Sequence, residues 1–268
     1  MSDLSVPPIL DHKDYASPSV FTAENMLREA RRQKNIPPGK IPKICLLDPD
    51  GDLVQHLRNT GQAQLNPFWA CYHTQMYEFT QDGIQFGVVG CAVGSSFAVL
   101  VAEEMFASGC ELLISITSAG QITKVAEPPY FFLIEKALRD EGTSYHYLPP
   151  SNYSEMAPAI RESLERAFQP FEDSIRFGAS WTTDGPFRET ETTIWYAESE
   201  GILGVEMEAA ALYAFAQAKK KAVICIAQIT NQMAQIENDF EKGEGHLDVL
   251  RVISIISAEA FAGRLANS

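Results

Sequence analysis

Basic residues are scarce: 21 Lys and Arg stand against 35 Asp and Glu, a formal charge of −14 over 268 residues. The field of such a chain repels phosphate backbones and anionic lipid, so neither nucleic acid nor a membrane surface is an expected partner. No C-x-x-C pair occurs among Cys45, Cys71, Cys91, Cys110 and Cys225. Nearly all five lie in apolar runs, where a free thiol behaves as a small hydrophobe, and a reducing cytoplasmic setting is expected. His12, His56, His73, His146 and His246 are at least 17 residues apart, so no H-E-x-x-H motif or local zinc pair can be drawn. No metal is expected, and no organic cofactor. The dinucleotide fingerprint G-x-G-x-x-G, the Walker A loop and the G-x-S-x-G elbow are also missing. The opening MSDLSVPPILDHKD puts prolines and acids where a signal peptide needs a basic end and an apolar stretch, so export is not expected. Residues 83–102 carry no charge, yet four glycines, two serines and a glutamine punctuate them. A strand, a turn and a buried helix account for that stretch better than a membrane span.

What remains is an ordinary globular composition, 46% hydrophobic and 21% charged. Residues 1–42 differ from the rest, with six prolines bracketing one helical segment over 22–34 that Thr22 is placed to cap. This reads as an arm, and its Arg28, Arg31, Arg32 and Lys34 fit a solvated helix face, the acidic body or a second subunit. From 43 to 268 one domain is expected. Runs of buried-strand type at 43–47, 84–91, 111–117, 174–180 and 222–229 alternate with helical patterns at 95–108, 158–168, 190–200, 206–219 and 247–265. That alternation predicts an α/β fold in three layers, α/β/α, with a central mixed, mostly parallel sheet flanked by helices. In such sheets ligands bind beyond the carboxyl ends of the strands.

Three stretches sit at those ends. The run at 84–91 enters Gly90-Cys91-Ala92-Val93-Gly94-Ser95-Ser96 and then a helix, which points backbone N–H groups at the sheet's end. Close helix–strand packing explains it equally well. The run at 111–117 closes in Thr117-Ser118-Ala119-Gly120-Gln121, a second small-residue turn suited to a polar floor. The sharpest feature is Gly204-Val205-Glu206-Met207-Glu208-Ala209-Ala210-Ala211-Leu212-Tyr213, two carboxylates flanking a methionine at the mouth of an apolar helix. Acids there suit the helix dipole, but residues two apart cannot share one stripe, so one of them is expected to face a pocket.

With these motifs in the same order and roughly the same spacing, residues 43–265 resemble the purine nucleoside and uridine phosphorylase superfamily. The likeness rests on VEMEAAALY (205–213), the 90–96 turn followed by AVLVAEEM (98–105), ISITSAGQI (114–122), WTTDGPFRET (181–190) and ICIAQITNQ (224–232). It implies that Met207 packs on a pentose, Glu208 bonds its hydroxyls, Glu206 supports the pocket and Ser118 lies between sugar and nucleophile. It implies that Trp181, Asp184, Phe187, Arg188 and Asn231 face the base, with Gly120 in the sugar-side turn. Asp184 and Arg188 also fit a turn with a local ion pair. Dimers or trimers of dimers are implied as well. The chemistry is coherent: breaking an N-glycosidic bond leaves positive charge on the sugar and negative charge on the base, so carboxylates belong on one side and donors on the other. Asn231 can hydrogen-bond a departing anion but cannot supply a proton, which favours bases that carry their charge on a carbonyl.

The sequence departs from that family in its cations. Phosphorolytic members hold phosphate with arginines; here Leu53 stands near the place of the first, Ser115 at the second, and the third falls around Tyr72 or His73. A charge pair about 6 Å apart at an effective dielectric of about 20 is worth about 3 kcal/mol. Losing such pairs weakens phosphate binding at the Gly90, Gly94, Ser95 and Ser115 turn. The expectation is a nucleoside or nucleoside-like substrate cleaved with water or phosphate as co-substrate, water being preferred unless arginines of the arm enter the site, with Asp48 or Asp50 as base, although D-P-D-G is also a plain turn signal. A nucleoside-binding or storage protein on the same fold is the rival, and a serine hydrolase a distant one.

Overall fold

In the computed structural model, residues 6–171, 175–231 and 246–261 are described, without the side chains of residues 171, 231, 246–248 and 261. Helix α1 (Ala23–Lys34) opens with Thr22 Oγ1 accepting from Asn25 N at 3.3 Å and buries Leu27 and Ala30. Its basic residues are engaged locally. Arg28 and Arg32 pair with Glu29, Arg31 donates to the carbonyls of Pro37 and Phe68, and Lys34 donates to those of Ala70 and Cys71.

Ten strands form one mixed sheet. The apolar runs become β1 (Ile44–Asp48), followed by α2 (Asp52–Asn59), then β2 (Gln64–Leu65), β3 (Met76–Gln81) and β4 (Ile84–Gly90). Next come α3 (Ser95–Ala107), β5 (Leu112–Gln121), β6 (Tyr130–Asp140), β7 (Tyr153–Glu155), α4 (Pro158–Phe168) and β8 (Ile175–Thr183). The chain continues through α5 (Glu191–Ser199), β9 (Gly204–Glu206), α6 (Ala209–Lys219), β10 (Ala222–Asn231) and α7 (His246–Phe261). Strand β1 lies parallel between β4 and β5, and β5 is parallel to β10. The uncharged stretch at 83–102 resolves into β4, the turn and α3, and no described helix is long and apolar enough to cross a membrane.

The α/β architecture with a large mixed sheet is as expected, and pairing adds a feature that local sequence does not carry. Strand β10 pairs β6, β6 pairs β8, β8 pairs β9, and β9 returns antiparallel to β5, which already pairs β10. Five strands therefore close into a ring. Closure needs β9 to come close: a Cβ at Gly204 would lie 2.7 Å from Ile229 Cδ1 and 3.0 Å from the Gly120 carbonyl oxygen, so a side chain there would push Ile229 and β5 aside. Strand β9 also corrects the start of the apolar helix. Glu206 ends a strand, and α6 begins at Ala209 with Glu208 in the capping position, because the Glu206 carboxylate takes the first N–H groups itself. Helices pack on the sheet in two groups, α1 with α3 and α6, and α4 with α7.

Candidate active site

The carboxyl ends of β1, β5 and β9 meet at a cavity of about 370 Å³. It is lined by Pro49 and Asp50 after β1, Val93 in the turn after β4, residues 117–120 of β5, the 205–208 segment, and Pro186, Phe187 and Glu189 after β8.

The acid–methionine–acid segment is held from several sides. Glu206, 3% exposed, accepts from the Ser180 hydroxyl at 3.0 Å, the Thr182 hydroxyl, and the Glu208 and Ala209 backbone N–H groups at 2.7 Å each. Thr182 Oγ1 in turn accepts from Ala210 N at 2.9 Å. Glu208, 2% exposed, accepts from Gly94 N at 2.7 Å and from the Thr117 hydroxyl at 3.0 Å. Ser95 Oγ donates to the Met207 carbonyl at 2.8 Å. The turn after β4 therefore spends its donors on positioning the trio.

Burial pushes both carboxyls up, and the four donors around Glu206 oppose it more than the two around Glu208 do. Burial, followed by the nearby Glu206 charge, carries Glu208 to about 8. The two carboxyls lie close enough to titrate as a pair rather than independently.

The other expected site residues separate into two groups. Asp50, Ser118, Gly120, Phe187, Glu206, Met207 and Glu208 line the cavity, with Asp50 Oδ2 accepting from Ser118 N at 2.9 Å. Asp48 does not line it. Its buried carboxylate accepts from Val54 N at 2.9 Å and so caps α2, and burial raises it to about 7. Trp181 is buried and donates to Asp140, Asp184 accepts from Gly142 N, and Arg188 is exposed; none of the three lines the cavity. Gly90 packs against α2 and Gly51, and Ser115 is buried in mid-strand opposite Cys225. The side chain of Asn231 lies outside the described residues; its backbone ends β10 beside Gly120, after a shift in register.

Sequence reasoning did not single out Glu189 or Val93 as site residues. Glu189 sits between a 3-10 turn, Pro186–Arg188, and Thr190, which caps α5. Its carboxyl is half-buried and raised to about 7 by desolvation, and it has no hydrogen-bond or ion-pair partner among the described residues. No Lys, Arg or His lines the cavity among the described residues, and no three His, Cys, Asp or Glu side chains converge on a metal-sized space.

Guanosine phosphorylase of Halorubrum lacusprofundi is 23% identical over 195 residues, covering 70% of this chain and 73% of that protein. Uridine phosphorylase from Vibrio fischeri ES114, crystallised with 6-hydroxy-1-naphthoic acid, superposes with a TM-score of 0.67 at 19% identity, over 84% of this chain and 92% of that one. A second crystal structure of the same enzyme gives 0.66 at 18%, over 96% and 99%. The model of the family described as Phosphorylase superfamily matches residues 43–260, which holds every cavity-lining residue named above, and the chain belongs to that family.

Proposed function

We propose that the protein cleaves the N-glycosidic bond of a nucleoside, with water rather than phosphate as the attacking group. The carrying observation is the cavity at the strand ends, where Met207 and Glu208 meet the small-residue turn of β5 and no cation is present among the described lining residues. Glu208 accepts from pentose hydroxyls, Met207 covers the sugar's apolar face, and Glu206 fixes both through the backbone. Carboxylate charge on the pair favours the positive sugar of an oxocarbenium-like transition state.

Phosphate is disfavoured by the same lining. Asp50 and the Glu206–Glu208 pair repel an anion, at about 3 kcal/mol for each pair of unit charges about 6 Å apart, and no cation among the described lining residues offsets them. Arg28, Arg31, Arg32 and Lys34 of α1 are already engaged with Glu29 and with carbonyls at residues 37 and 68–71. Asp50 is the acid placed to orient or deprotonate water, since Asp48 is turned to α2. A homo-oligomeric assembly belongs to this reading.

The test is incubation of the purified protein with inosine, guanosine, adenosine and uridine, with and without phosphate. Free ribose at equal rates in both conditions is expected. Turnover only with phosphate, yielding ribose 1-phosphate, would overturn hydrolysis; binding without turnover would favour the storage protein.

A further inference from the structure

Among the described residues Glu189 is the one carboxyl lining the cavity with no hydrogen-bond or ion-pair partner. Asp50 is tied to Ser118 N, Glu206 to four donors and Glu208 to two. Its backbone is fixed on both sides, by the turn at Pro186–Arg188 and by the capping box of Thr190 and Thr193 that starts α5. A side chain held there, half-buried and uncompensated, is stabilised by nothing within the described protein. Its partner is solvent or whatever enters the cavity it lines. The titratable groups sharing the cavity, Asp50, Glu206 and Glu208, are all acids, and Arg188 beside it does not line the space. A neutral carboxyl is the form that its partial desolvation favours.

We infer that Glu189 is the proton donor to the departing base, an inference that rests on the glycosidic reading above. The C1′–N bond breaks with its electron pair staying on the base, the Glu189 carboxyl proton moves to a nitrogen or carbonyl oxygen of that base, and a water oxygen bonds to C1′. The proton released by that water returns through solvent to Glu189, so one water is added across the bond and nothing is oxidised or reduced. Burial to about 7 keeps the carboxyl substantially protonated at neutral pH while leaving it acidic enough to give the proton up. The preference for carbonyl bases that an asparagine at position 231 imposes then disappears. Adenosine then joins the 6-oxopurine and pyrimidine nucleosides as a substrate, because any base that takes the proton leaves as a neutral molecule.

The experiment compares wild type with Glu189→Gln on inosine and on p-nitrophenyl β-D-riboside, whose leaving group needs no proton. Loss of kcat by about 100-fold or more on inosine, with less than about fivefold change on the nitrophenyl riboside and an unchanged Tm, is expected. Equal losses on both substrates, or a change in KM alone, would overturn the inference and leave Glu189 a structural or binding residue. Wild-type protein inert on both substrates would sink the glycosidic reading itself, and the wild-type arm alone reveals that outcome.

Discussion

Glu208→Gln is expected to lower kcat/KM for a nucleoside by about 10³ while leaving the fold unchanged. Glutamine has one acceptor, and Gly94 N–H at 2.7 Å claims it. The amide nitrogen then falls on the Thr117 side, where the Thr117 hydroxyl can turn to accept. Stability is therefore retained, but the pentose hydroxyls lose their acceptor, worth about 1.5–3 kcal/mol for a charged one. The ionised form that a positive sugar selects is also unavailable, about 3 kcal/mol at about 5 Å and an effective dielectric of about 20. Together these are more than enough for the 4 kcal/mol that corresponds to about 10³. Steady-state kinetics with a thermal melt checks it; an unchanged kcat/KM would remove Glu208 from the chemistry.

Glu206 should fail differently. Glu206→Ala strands two buried hydroxyls and two buried N–H groups at the start of α6, and a loss of about 3–5 kcal/mol is expected. For a chain of this size that lowers Tm by roughly 10 °C. Glu206→Gln should cost only about 1 kcal/mol, because its oxygen can keep both N–H groups while the Ser180 and Thr182 hydroxyls rotate to accept from its amide. Similar melts for the two variants would show that the four bonds do not hold the site together.

Much of the frame was legible in the residues. Continuous apolar runs gave β1, β4, β5, β8 and β10, and the stretch over 205–213 led to the cavity. Strand β6 escaped because Glu135, Lys136, Arg139 and Asp140 interrupt its apolar residues, and its pairing on both sides is a tertiary fact. Strand β9 has three residues and is stable only through the ring that Gly204 permits. Asp48 and Asp50 look equivalent in D-P-D-G. Only the turn, with Gly51 at φ +84° and its N–H bonded to the Asp48 carbonyl, sends one carboxylate to α2 and the other to the cavity. Glu189 was hidden for a related reason: nothing in its sequence marks an acid that will be half-buried without a partner.

The central claim is that Glu206, Met207 and Glu208 form the seat of a pentose. A crystal structure of the Glu208→Gln protein, slowed enough to retain inosine, tests it most directly. The ribose should lie on Met207 with a hydroxyl within about 3.2 Å of the residue 208 side chain, and the base should extend toward Glu189. Inosine bound elsewhere, or a cavity that stays empty at saturating nucleoside, would contradict it.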